Sequence, residues 1–195
     1  MTLLELITRT RTYRRFDESL QISTDTLREL VNLARLAPSA RNAQALKYIL
    51  INDKINCAKV FPLLAWAGYL TDWKGPAEGE RPSAYIIVLN DTTISNNNYC
   101  DDGLAIQNIL LGANERELGG CIIGALNKEE LRQLFHINDR FEILYVLALG
   151  KPAETVVLEN MKDGEHKYWR DEHGVHHVPK RSLDEIIINP ANTTY

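Results

Sequence analysis

The chain has 195 residues, 45% hydrophobic and 25% charged, with a formal net charge of -4; this is the composition of an ordered chain long enough to bury a core. An isoelectric point near 5.8 excludes the broad basic surface of a general nucleic-acid binder. Cys57, Cys100 and Cys121 are the three cysteines and lack C-x-x-C spacing, which excludes a complete disulfide framework and a zinc ribbon.

Free thiols in a reducing compartment are the simplest account of the cysteines. No apolar run approaches transmembrane length, and the basic residues of MTLLELITRTR follow its apolar patch, the reverse of a secretory signal. A cytoplasmic protein is expected, with neither membrane nor nucleic acid among its partners. Residues 1–195 are expected to form one domain, with a hairpin and tail from about residue 165.

In chain order, Leu3, Leu4 and Ile7 at helical spacing predict a short opening helix. It runs into RTRTYRRF, residues 9–16, which places four arginines in a chain of net negative charge. A guanidinium grips phosphate through paired hydrogen bonds, and a neighbouring hydroxyl adds another. Arg11, Thr12 and Arg14 span one turn or one extended bend and can converge on a single phosphate. A solvated basic face paired with acids elsewhere explains the same charges.

STDTLRELVNLARLA predicts a helix capped by Ser23 or Thr24, with Leu27, Leu30, Val31 and Ala34 on one face and Pro38 at its end. The polar loop PSARNAQ follows; it can be a plain turn or can present backbone amides to a ligand. LKYILIN reads as a strand, DKINCAKVFPLLAWAGYL as helical, and TDWKGPAEGERPS as loop. AYIIVLND is a buried strand by its continuous apolar run.

Between Asp101-Asp102 and Gly119-Gly120 lies a helix with no charge from Leu104 to Ala113, expected to be buried on most sides and to end at the glycine pair. CIIGAL is a strand, NKEELRQLF a capped helix and EILYVLALG a third buried strand. The tail reads as a hairpin around His173-Gly174, a basic step at Lys180-Arg181 and a short helix. His173, His176 and His177 lack the spacing of a zinc helix and are expected as exposed turn residues. Interleaved strands and helices place the chain in the α/β or α+β class with a central mixed sheet. No Rossmann fingerprint or Walker lysine is present.

The order of these pieces resembles the FMN-dependent nitroreductase family, in its short single-domain branch: R-T-x-R after a first helix, P-S-x-x-N-x-Q before the first strand, a long apolar helix ending in L-G-G-C-x-I-G, and a C-terminal K-R. The resemblance covers about residues 2 to 188. It implies a mixed central sheet flanked by helices in an intertwined homodimer. By the same resemblance Arg11, Thr12, Arg14, Lys180 and Arg181 grip the flavin phosphate and ribityl chain. Pro38, Ser39, Ala40 and Asn42 lie along the ring from the other subunit, and Ile122, Ile123 and Gly124 offer backbone N–H groups near flavin N5.

The implied cofactor is FMN and the implied electron donor NAD(P)H. The implied partner is a small electrophilic oxidant such as a nitroaromatic or quinone, reduced in turn through N5, with no indispensable acid–base residue. A specialised flavin enzyme of the same fold (a reductive dehalogenase or flavin-fragmenting enzyme) and a flavin-binding storage or sensing protein are the alternatives. The pattern departs from the family at Thr10, where a basic residue is frequent, and at Gln44-Ala45-Leu46, where Q-P-W is frequent. The resemblance also puts the uncharged helix, with Ile109 on it, at a two-fold interface. It assigns no role to the loop from Tyr69 to Pro82.

Overall fold

The structure is a computed structural model and describes residues 1–188. Its strands are β1 (Phe16–Asp17), β2 (Leu46–Ile51), β3 (Ala84–Asp91), β4 (Gly119–Ile123), β5 (Phe141–Pro152), β6 (Val156–Asn160), β7 (Trp169–Arg170) and β8 (His176–Lys180). Its helices are α1 (Leu3–Arg9), α2 (Thr24–Arg35), α3 (Lys54–Val60), α4 (Asp101–Glu115), α5 (Lys128–Leu134) and α6 (Leu183–Ile186).

The centre is β3, every residue of which is buried. Successive side chains alternate between faces. Ile86 and Val88 therefore meet Leu27 and Leu30 of α2 and Ile106 and Ile109 of α4. Tyr85, Ile87 and Leu89 pack on the other face with Val60 of α3 and Leu131 of α5. Helices thus cover both sides of the sheet.

The order across it is β1-β5-β3-β2, and β4 also pairs with β5, off this path. β4 pairs with Val146–Gly150 and β1 with Lys151–Pro152. These pairs are antiparallel, as are β2–β3 and β3–β5. Parallel pairing enters at the Thr12–Gly120 bridge and in a second sheet, where β8 runs parallel to β6 and antiparallel to β7. The architecture is α+β.

Three local expectations are corrected. The helix after β2 stops at Val60 and gives way to a 3-10 turn at Phe61–Leu63, because Pro62 has no N–H to continue the ladder. α4 ends at Glu115, before the glycine pair, and the chain reverses at Glu117 with φ 59°. Gly119 and Gly120 belong to β4; a Cβ at Gly120 would lie 2.8 Å from both Leu110 and Leu149. Finally, Ile109 is wholly buried in this chain's own core. The open side of α4 carries Leu104, Gln107 and half-buried Leu111.

Ser23 caps α2, its side chain accepting the Thr26 N–H, and β6 adds a strand beyond those expected from the sequence. Among the described residues no helix is long and apolar enough to cross a membrane.

Candidate functional site

The four arginines separate once folded. Arg15 pairs with Glu80, so the reading of a basic face balanced by acids holds there. Arg11 turns back on α1 and donates from NH2 to the Ile7 carbonyl at 2.6 Å, while its Nε has no partner in the protein. Burial holds its pKa below the usual guanidinium value. Arg14 points inward and is only 9% exposed. Its NH1 lies 3.2 Å from His176 Nε2, and its guanidinium sits 4.7 Å over the Tyr168 ring. Among the described residues neither Arg11 nor Arg14 has a carboxylate partner.

The backbone under this segment is pinned twice. Glu154, its side chain fully buried, accepts the N–H groups of Arg14 and Arg15 and pairs with Arg170 at 2.8 Å. On the other side Tyr13 donates its N–H to the Gly120 carbonyl at 3.1 Å. Thr12 is thereby held, exposed, against the edge of β4. In an antiparallel strand the N–H and C=O of alternate residues point to the same side. The Gly120 carbonyl faces outward to Tyr13, so the Ile122 N–H faces outward too, from an edge that no other named strand pairs with among the described residues. The Ile122 side chain is exposed, Ile123 is buried and Gly124 lies open just past the strand.

His176 corrects the sequence reading. It is 1% exposed, not a surface turn residue. Burial, then the charge of Arg14, lowers its pKa to about 4. It is therefore neutral near pH 7, with Nε2 accepting from Arg14. His177, pointing the other way along β8, stacks on Trp169 at 4.8 Å and reaches Glu159 and Asp171. Only His173 sits exposed on the turn. Among the described residues no cluster of His, Cys, Asp and Glu could hold a metal ion.

The loop from Tyr69 to Pro82 roofs this region. The Tyr69 N–H donates to the Tyr168 hydroxyl at 3.3 Å with their rings 5.0 Å apart, and Trp73 lies under Arg170. Lys180 is exposed at the far end of β8, four residues and roughly 13 Å along the strand from His176. The Arg181 side chain rests on Glu185. The structure therefore joins Thr12 to β4 and Arg14 to β8, but leaves Lys180 and Arg181 apart from Arg14.

The loop with Pro38, Ser39, Ala40 and Asn42 is elsewhere. The Ala40 N–H donates to buried Asp101 at the start of α4, 2.9 Å away, and Ser39 Oγ accepts the Gln44 N–H. Arg41, Asn42 and Gln44 all take left-handed φ near 55°, which fixes the loop in one shape. It borders a cleft of about 630 Å³ lined by Pro38, Ser39, Lys47 and Tyr48. Burial, with Asp102 nearby, pushes the Tyr48 hydroxyl up to about 12.

The opposite end of α4 touches the arginine segment, where Asn114 Nδ2 donates to the Arg9 carbonyl at 3.2 Å. From Asp101 to Asn114 the helix rises roughly 20 Å. Within one chain the Ala40 loop and Arg9, at the head of the arginine segment, thus touch opposite ends of α4 about that far apart. Glu154 and Tyr168 are residues that the sequence did not single out, and His176 and Asp101 stood out there only as a turn residue and a helix start. Each acts through a partner distant in sequence, so no local pattern marks that role.

Comparison with known proteins completes the description. The sequence model of the Nitroreductase family matches residues 7–68 and 79–151. A protein of Archaeoglobus fulgidus named "Putative NADH dehydrogenase/NAD(P)H nitroreductase" is 28% identical over 159 residues, spanning 77% of this chain and 86% of its own length. A nitroreductase family protein from Clostridium difficile 630 superposes with a TM-score of 0.69 at 18% identity, over 97% of this chain and 99% of its own. A "putative nitroreductase in complex with FMN" from Exiguobacterium sibiricum gives 0.66 at 19% identity, over 79% and 90%.

Proposed function

The chain belongs to the nitroreductase family of flavin-dependent oxidoreductases, and from that premise we propose that two copies of it hold FMN between them and pass electrons from NAD(P)H to a small electrophilic oxidant. The observation that carries this reading is the separation of the two half-sites along α4. A ligand that needs both Arg11–Arg14 and Ser39–Asn42 is met within reach only if the second half comes from another copy. Exposed apolar side chains support the pairing: Leu104 on α4 is 41% exposed, and Leu3, Leu4 and Ile7 are exposed on α1, which packs against α4.

The donors suit the cofactor. Arg11 and Arg14 carry charges without acid partners, and Arg11 Nε is a buried donor with none at all. Such groups call for an anionic acceptor. In this reading Arg11, Thr12 and Arg14 bind the phosphate and ribityl end, and Lys180 and Arg181 supply the second basic point of the grip. The Ile122 N–H, with Ile123 and Gly124 behind it, faces the N5 edge. The partner copy's Pro38, Ser39, Ala40 and Asn42 exclude water from the ring. Bound FMN would supply two-electron redox chemistry at N5. His176 keeps Arg14 oriented while remaining uncharged.

The curated relative named for NAD(P)H and the solved neighbour carrying FMN support the choice of donor and cofactor. Nitroaromatics and quinones are the oxidants of the proposal, and free thiols at Cys57, Cys100 and Cys121 suit a cytoplasmic setting. The test is direct. Purified protein should be yellow, should release FMN on heating, and should bleach anaerobically with NADH or NADPH. Release of FAD, or colour that persists with both donors, contradicts the proposal.

A further inference from the structure

On the face of the sheet away from α4, a second cleft of about 350 Å³ opens between α3 and the start of β3. Tyr85 and Ser83 form its floor, Phe61 and Ala58 part of its wall, and Lys54 stands at its rim. The Arg81 guanidinium lies 4.5 Å over the Phe61 ring. Tyr85 is 0% and Ser83 4% exposed, yet neither hydroxyl has a hydrogen-bond partner in the protein, and Arg81 Nε has none either. Buried donors without acceptors are uncommon and costly, so three of them around one cleft point to a ligand.

The charges refine the class. Among the described residues neither Lys54 nor Arg81 is in an ion pair. The nearby Glu18 carboxylate is already engaged: Oε2 accepts the Gly79 N–H at 2.6 Å and the Arg81 N–H at 3.4 Å. Burial raises the pKa of Tyr85 and pushes Cys57 up to about 11, so both remain protonated donors near neutrality. Exposed Glu78 also lines the cleft; the buried groups left unanswered are the Arg81 Nε and two hydroxyl donors, set beside Lys54 and an apolar wall. An inorganic anion would leave Phe61 and Ala58 unused, and a neutral hydrocarbon would leave the donors unsatisfied.

We propose that this cleft is a binding site for a small organic carboxylate, its carboxylate held by Arg81 and the hydroxyls of Ser83 and Tyr85, its apolar body against Phe61 and Ala58. The site does not depend on the cofactor reading, because none of these residues belongs to the proposed flavin grip.

Benzoate is the probe, titrated calorimetrically into the protein as purified, with the flavin spectrum recorded in parallel. Saturable binding is expected, weakened about tenfold or more by Arg81→Gln through loss of a charge-assisted contact. Tyr85→Phe should also weaken it, while leaving the melting temperature of the free protein unchanged or raised, since it removes a hydroxyl that has no partner. A purely structural tyrosine would show the opposite pair of effects. Lack of benzoate binding overturns the proposal, as does affinity that both substitutions leave intact. Binding that perturbs the flavin spectrum and is lost in Arg14→Ala places the carboxylate in the cofactor site and overturns it as well. Inorganic phosphate binding as tightly as benzoate overturns the assigned class.

Discussion

Replacing Glu154 with alanine should destabilise the chain by about 3–5 kcal/mol, the usual cost of breaking a buried ion pair from one side. The carboxylate is fully buried, 2.8 Å from Arg170, and accepts the backbone N–H groups of Arg14 and Arg15. Alanine strands the Arg170 charge, itself only 15% exposed, and leaves two amides without acceptors. Each such loss costs about 1–3 kcal/mol alone; the parts share one site and do not add, which keeps the total within the stated range. Glu154→Gln retains an acceptor oxygen and loses only the charge, so about 1.5–3 kcal/mol is expected. The double variant Glu154→Gln with Arg170→Met leaves no buried charge unpaired and should cost less than the two single changes summed. Urea denaturation reads these values as midpoint shifts at constant slope. A cost below about 1 kcal/mol for Glu154→Ala would refute the reasoning that this carboxylate ties the arginine segment to the second sheet.

Arg14→Ala should weaken FMN roughly ten- to a hundred-fold in a fluorescence titration, far more than it weakens the flavin-free fold, which loses only the His176 and Tyr168 contacts and no ion pair. Leu104→Glu should separate the copies and release flavin together, seen by light scattering, whereas Ile109→Glu should unfold the chain because that side chain is wholly in the core. Stability should fall as the pH drops from about 6.5 towards about 4, where folded His176 titrates. The unfolded chain binds the proton first in that window, so acid favours unfolding. His176→Gln should flatten that slope in urea melts taken across the range.

Much of the framework was legible in the sequence because each element carries its own local signal. The unbroken apolar run of β3 marks a strand buried on both faces, and Ser23 ahead of the Leu27–Leu30–Ala34 stripe marks α2. What the sequence concealed depends on contacts between distant residues. The absence of charge from Leu104 to Ala113 does not say which side meets the chain's own core; only packing against α2 assigns Ile109 inward and Leu104 outward. Gly119 and Gly120 read as a helix end because glycine is common there, but close approach to Leu110, Leu149 and Tyr13 is what requires them. His176 and His177 are neighbours with opposite environments, since side chains alternate along the strand after the His173-Gly174 turn and the sequence does not say which face is covered.

The central claim is a flavin site divided between copies of one chain, and mixing damaged copies tests it most directly. One copy carries Arg14→Ala, which impairs the basic half-site; the other carries Ser39→Ala with Asn42→Ala, which impairs the loop half. Each variant alone should bind FMN poorly. After dissociation and reassociation in equal amounts, random pairing makes half the dimers mixed, and each mixed dimer contains one site with both halves intact. Roughly one site in four should then bind FMN with the affinity of the unaltered protein. If a single chain supplied the whole site, every copy would remain damaged, and mixing would restore no tight binding at all.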